Sequence, residues 1–286
     1  MIRRKLIQSL GIFPLVAINL SNNTLLAKNY KNEKNQYLNP NNKKHISIIH
    51  RKLCFSFDDK PVFWFINARR YGLANKRFIP FWNMHVGFIS KIENLDKDRF
   101  LVKTLSIIFY TDITSDKLLT KFKNPLINKI HEINQPKPRV SKRFYGKDGL
   151  EDSKKDKPGF KTTEYGNIGP AWAAADDVWI NADNGFRIEP LKNNGNLKQI
   201  NDWFTYQGSL KEVSNPEVKS ANATQSFHDF NTWPNWLGLN SIQGVYVSRG
   251  VGKKVSVIEE MPDIWKNLTK NNHLSYYNNP INKIDL

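Results

Sequence analysis

The residues best suited to chemistry lie at 227–230, the run Phe-His-Asp-Phe. His228 and Asp229 both titrate, and an aromatic flanks the pair on each side. Burial and a nearby charge would shift the pKa of such a group, which suits general acid–base work. Adjacent residues on a strand point to opposite faces, so only one of the two can reach an interior. Tyr110 with Asp112 offers a second phenol and carboxylate, and Tyr206 is a further helper. The catalytic candidates are therefore His228, Asp229, Tyr110 and Asp112. The competing reading is structural: the aromatics close a core and His228 caps a loop. Trp179, Tyr206, Trp233, Trp236 and His85 are candidates to line a ligand pocket, because aromatic side chains bury large apolar areas and most keep a polar handle. His85 lies between Met84 and Val86, where a hydrogen-bonded core histidine is the ordinary outcome.

Other chemistries fit less well. The histidines at 45, 50, 85, 131, 228 and 273 show no helical ligand spacing. His85 and His228 could meet a carboxylate only through tertiary convergence, so no metal site is expected. A single cysteine, Cys54, excludes internal disulfides and a cysteine-based zinc site. Between Leu53 and Phe55 it reads as a small buried hydrophobe. No nucleophile elbow of the Gly-x-Ser-x-Gly type is present. Gly250-Val251-Gly252-Lys253-Lys254 lacks the spacing and the Ser or Thr of a phosphate loop, and reads as a hairpin turn. No motif names a cofactor.

The elements that must hold these groups are short. Arg3 and Arg4 followed by a weak apolar run to Leu20 have the shape of a secretory signal, and the paired arginines resemble a twin-arginine export signal. Residues 1–27 are thus an expected export signal, 28–46 an Asn- and Lys-rich linker, and 47–286 one folded domain. The implied location is periplasmic or secreted. Residues 53–66 suggest two strands and a turn, and 78–92 and 99–110 further strands. Residues 141–163 read as a long exposed loop, with 154–158 as its tip. In 176–182 a strand would put Asp176, Val178 and Ile180 on one face and Asp177, Trp179 and Asn181 on the other. Asn193-Asn194-Gly195-Asn196 is a turn signal. The best helix signal follows Pro262, with Ile264, Trp265 and Leu268 on one side.

Charge is uneven. Residues 1–150 hold 28 basic and 10 acidic side chains, and the remainder is close to neutral. The basic residues form no continuous stripe and no stacking motif accompanies them, so specific nucleic-acid binding is not expected. Weak attachment to an anionic surface stays open.

Four stretches resemble one family, the domain of unknown function numbered 1838 (DUF1838). They are FYTDITSDKLLTKFKNP, AWAAADDVWI, DWFTYQGSLKEVSNPEVKS and FHDFNTWPNWLGLNSIQGVYVSRGVGKK. Ser115 and Asn128 depart from the family's pattern at turn positions. The resemblance implies one fold over most of the chain and an exported protein, and it brings no established activity.

The many short apolar and aromatic segments predict a β-dominated α+β domain. Its antiparallel sheet would be barrel-like or strongly curved, with one C-terminal helix near 262–271 packed outside. Two functions suit such a fold: binding of a small apolar or aromatic molecule in a barrel mouth, and cofactor-independent isomerase, cyclase or lyase chemistry using His228 or an Asp.

Overall fold

The computed structural model describes residues 37–96, 99–146, 149–151, 153–154, 160–190 and 198–285. The expected export signal, the first part of the linker, most of the 154–158 tip and the 193–196 turn lie outside these residues.

One antiparallel sheet dominates. Its strands are β1 (Val62–Ala74), β2 (Arg77–Asn94), β3 (Phe100–Thr111), β6 (Arg139–Gly146), β7 (Gly149–Leu150), β8 (Ser153–Lys154), β9 (Phe160–Ala174), β10 (Asp177–Pro190), β11 (Lys198–Ser209), β12 (Thr224–Asn231) and β13 (Gly244–Val255). A separate hairpin pairs β4 (Lys121–Asn124) with β5 (Lys129–Glu132). The order in the large sheet is β7-β6-β3-β2-β1-β13-β12-β11-β10-β9-β8. Two meanders, β1 to β3 and β9 to β13, are therefore joined where β1 pairs with β13.

The free edges then approach one another. A Cβ on Gly149 of β7 would lie 3.2 Å from Ile168 of β9, and Arg143 of β6 donates to Glu164 of β9 at 2.7 Å. The result is a nearly closed barrel, as the sequence predicts. Tight turns help it close. Asn75 and Lys76 both hold positive φ between β1 and β2, the backbone that a two-residue hairpin loop requires.

Alternation sorts each strand into an inward and an outward set. Even positions of β1, β3 and β11 turn inward: Trp64, Ile66 and Arg70, then Val102 and Ile108, then Asp202, Phe204 and Tyr206. On β12 the inward residues are Gln225, Phe227 and Asp229.

Helix α1 (Lys43–Cys54) closes one mouth. Its Ile49, Leu53 and Cys54 pack against inward residues of β1, β2, β3, β6, β9 and β10 together, which only a plug can do. Asn42 caps it by accepting from the Lys44 and His45 N–H groups. Lys254 of β13 ties down its far end, donating to the Lys52 carbonyl at 2.7 Å, the Phe55 carbonyl at 3.3 Å and Ser220 Oγ at 3.0 Å. The other mouth is filled by Phe81, Trp82, Phe122, Trp233, Leu237 and Tyr246.

Helix α2 (Leu210–Ser214) is a short turn after β11. Helix α3 (Asp263–Asn278) lies on the outer face of β2 and β3, and α4 (Pro280–Ile284) follows it. Gly87 makes room for α3: an added Cβ would sit 2.3 Å from the Trp265 ring. The Trp265 indole donates to the Ile107 carbonyl at 3.1 Å.

Several local expectations change. Residues 43–54 are helical, so the helix takes in the end of the expected linker (43–46) and the start of the expected strand (53–54). The apolar spacing Ile46, Ile49, Leu53 has a helical period, and the polar residues around it obscure that period. Residues 139–146 form β6 rather than a loop. Asp176 sits in the turn, so the strand begins at Asp177; Val178 and Ile180 still share the inward face. The Gly250–Lys254 segment is mid-strand, not a hairpin turn. Gly250 has no side chain because a Cβ there would meet Ala68 at 2.5 Å. The C-terminal helix is outside as expected, but it kinks at His273, where the backbone leaves helical geometry, before a further helical turn ends at Asn278.

Candidate active site in the barrel lumen

The middle of the barrel carries a layer of charge. Arg70 on β1 forms an ion pair with Asp229 on β12, and Asp229 also accepts the Ser248 N–H of β13. The Arg70 guanidinium lies 4.7 Å from the centre of the Tyr246 ring. Asp202 on β11 is the direct cross-strand partner of Asp229 on one side and of Asn184 on the other. Cross-strand partners place their Cβ atoms about 5 Å apart, so the two carboxylates share one site. Arg143 on β6, paired with Glu164, comes in from the opposite wall and stacks 5.7 Å from Phe186.

The two aspartates differ. Asp229 is anchored and almost fully buried, at 1% exposure. Asp202 has no such anchor among the described residues and keeps partial access to solvent. Burial, then the neighbouring Asp229 charge, raises the Asp202 pKa to about 7. Arg70, Arg143 and Arg139 oppose that rise. Two carboxylates in contrasting surroundings are the arrangement from which acid and base roles are made.

Apolar walls rise on either side of this layer. Phe88, Ile108, Tyr110 and Phe204 face inward but are only half-buried. These inward side chains keep some solvent contact although α1 and the far aromatic cluster fill the two mouths. β6 pairs only with Phe100–Ser106; beyond it, Gln135 and Leu119 take up the β3 edge at Tyr110, with the Gln135 amide accepting from the Tyr110 N–H and donating to its carbonyl at 2.9 Å each. Toward α1, a cavity of about 30 Å³ lies among His50, Tyr145, Asn184, Phe204 and Tyr206. That volume suits a single water molecule. Burial lowers the His50 pKa to about 3, so its imidazole is neutral, and burial raises the Tyr145 phenol to about 12.

The fold leaves much of this polar capacity unused. His50 Nδ1, Arg70 Nε, Trp82 Nε1, Asn184 Oδ1, Gln225 Oε1, Asn231 Oδ1 and Ser248 Oγ are buried without a protein hydrogen bond. His131 Nε2 on the β4–β5 hairpin is the remaining such atom among the described residues. Each unmade hydrogen bond costs about 1–3 kcal/mol, so a concentration of them on the inward side is not there for stability.

Of the residues singled out from sequence, Asp229, Tyr110 and Tyr206 face the barrel interior, Tyr206 at the α1 end and Tyr110 toward the far mouth. Tyr206 stacks on Phe204 at 5.8 Å and meets Trp64 edge-on at 5.4 Å. His228 faces outward between Trp203 and Arg249. Asp112 organises a turn, accepting from Thr114 and Ser115, and the Thr114 hydroxyl and N–H help lower its pKa to about 2. His85 is also outward, bonded to Asn67 and Thr111 at 3.0 Å each, and its pKa is lowered by burial. Trp179 is outward and stacked on Trp172. Trp233 is buried at the far mouth, donating to the Ile242 carbonyl, and Trp236 lies exposed against Trp82.

Arg70, Asp202, Arg143, Glu164 and His50 escaped the sequence reading. Strand parity was the available signal. Asp202 shares its face with Phe204 and Tyr206, and Arg70 shares its face with Ile66 and Ala68.

Among the described residues, no three His, Cys, Asp or Glu side chains converge as metal ligands. None of their helices is long and apolar enough to cross a membrane. No curated protein matches the sequence. A family model does match, over residues 68–286, which takes in the second half of β1 and every later strand of the barrel. The chain belongs to the DUF1838 family, described as proteins of unknown function.

Proposed function

We propose that this protein binds a small amphipathic molecule in the barrel lumen. The observation that carries the reading is the half-buried inward wall of Phe88, Ile108, Tyr110 and Phe204 beside the unanchored carboxyl of Asp202. The apolar part of the ligand rests on the aromatic wall, and its polar group meets Asp202 and the Arg70–Asp229 pair. Sites of this kind combine a mostly apolar lining with a few placed polar groups. The neutral dye N-phenyl-1-naphthylamine tests it. Its fluorescence should rise on mixing with the wild type. The rise should vanish in Ala182→Trp, which fills the lumen from a small inward position that lines the cavity. Equal dye binding by both proteins would contradict the reading.

A second reading rests on the carboxylate pair. Asp202, poised near neutrality beside an anchored Asp229, supports cofactor-independent proton transfer, as an isomerase, cyclase or lyase would require. Loss of turnover in Asp202→Asn with ligand affinity retained would favour it over binding alone.

We also propose that the protein is exported. Arg3 and Arg4, the short apolar run and the Asn-rich segment before the barrel support this.

A further inference from the structure

The outer face of the sheet is covered by α3 only over its β1–β3 side. Farther round, the outward residues of β10, β11, β12 and β13 line an open groove of about 470 Å³. We propose that this groove is a second binding site, separate from the lumen, and that it takes a neutral carbohydrate.

The lining points to that class. Trp179 forms one wall, and its ring is parallel to that of Trp172 within 7°, with centroids 6.2 Å apart. Trp172 is itself 41% exposed. Trp172 lies outside the groove and stacks on Trp179, which fixes the Trp179 indole as the aromatic wall against which the apolar face of a sugar ring can rest. Thr205, Gln207, Thr224 and Ser226 add neutral hydroxyl and amide groups. Two of these are already oriented: Thr205 donates to Asn181 at 2.9 Å, and Gln207 donates to Asp177 at 2.9 Å. Their remaining donors and acceptors suit sugar hydroxyls, which both give and take hydrogen bonds.

Other occupants fit worse. Lys253 is the one charged side chain of the lining, too little charge for a nucleic acid or an anionic lipid surface. The strands of the groove pair on both sides, so no open edge awaits a peptide strand. The volume is that of a small-molecule site.

The test uses the whole protein with maltoheptaose, cellohexaose, chitohexaose, laminarihexaose and xylohexaose as probes. Calorimetry and tryptophan fluorescence report binding. At least one probe should bind with a Kd of about 1 mM or tighter. Trp179→Ala should weaken that binding by about tenfold or more. Val251→Trp gives an independent check, because Val251 lines the groove at 67% exposure and a larger side chain there blocks the site without entering the core. It should abolish binding with an unchanged melting temperature. Ala182→Trp, which fills the lumen, should bind the sugar normally, so failure of the lumen reading would not disturb this result. Absence of binding by every probe overturns the proposal, as does unchanged affinity in Val251→Trp.

Discussion

Replacing Asp202 with Asn removes one titrating proton from the lumen and leaves its volume almost unchanged. Folding moves this carboxyl from an ordinary value of 3.8 to about 7. Each unit corresponds to about 1.4 kcal/mol, so the full shift sets a ceiling of about 4 kcal/mol. Asp202 retains partial solvent contact, and screening brings the expected effect to roughly 1–3 kcal/mol. The sign follows from proton counting. Between about pH 4 and pH 7 the folded protein holds a proton that the unfolded chain has released, so Asp202 subtracts stability as pH rises through that window. Asparagine does not titrate. Urea unfolding at steps from about pH 4 to pH 8 should therefore show the two proteins separating progressively, with Asp202→Asn the more stable by roughly 1–3 kcal/mol at the upper end. His50 works in the opposite direction, losing stability as pH falls from 6.5 toward about 3, but it is common to both proteins and cancels in the difference. A difference independent of pH, or a variant less stable at about pH 8, would refute the reasoning.

Arg70→Met leaves Asp229 buried without its partner and should cost about 3–5 kcal/mol in urea unfolding. Adding Asp229→Leu to it should recover most of that loss. Gly87→Ala drives a methyl into Trp265 and should destabilise by about 1–3 kcal/mol, seen as a lower melting temperature. Changing Arg3 and Arg4 to Lys should hold the precursor in the cytoplasm on cell fractionation. Normal arrival in the periplasm would rule out the twin-arginine route, and wholly cytoplasmic wild type would end the export proposal.

The β-dominated barrel was legible because its strands are rich in β-branched and aromatic residues and the turns between them are marked. Val178 and Ile180 were placed on one face by alternation alone, and their burial follows from it. Helix α1 was hidden because its first turn, Lys43-Lys44-His45, carries no apolar signal, and its burial depends on docking into a barrel mouth. Strand β6 was hidden because it is inverted: Arg143 and Tyr145 turn inward to the lumen while Phe144 is exposed. Polar residues on the inward face are the mark of a site rather than a core, and they are what erases an ordinary strand pattern. Asp229 was found through its aromatic neighbours. Asp202 and Arg70 needed register, which local sequence does not specify, because the pairing of β11 with β12 and of β12 with β13 brings them to Asp229.

The central claim is that the lumen holds a small molecule, and native mass spectrometry of protein purified from its own host tests it most directly. The wild type should carry a discrete mass above that of its polypeptide, released on denaturation, and Ala182→Trp purified in the same way should lack it. Wild-type protein that flies at its bare polypeptide mass, or an adduct equally present in Ala182→Trp, would contradict the account.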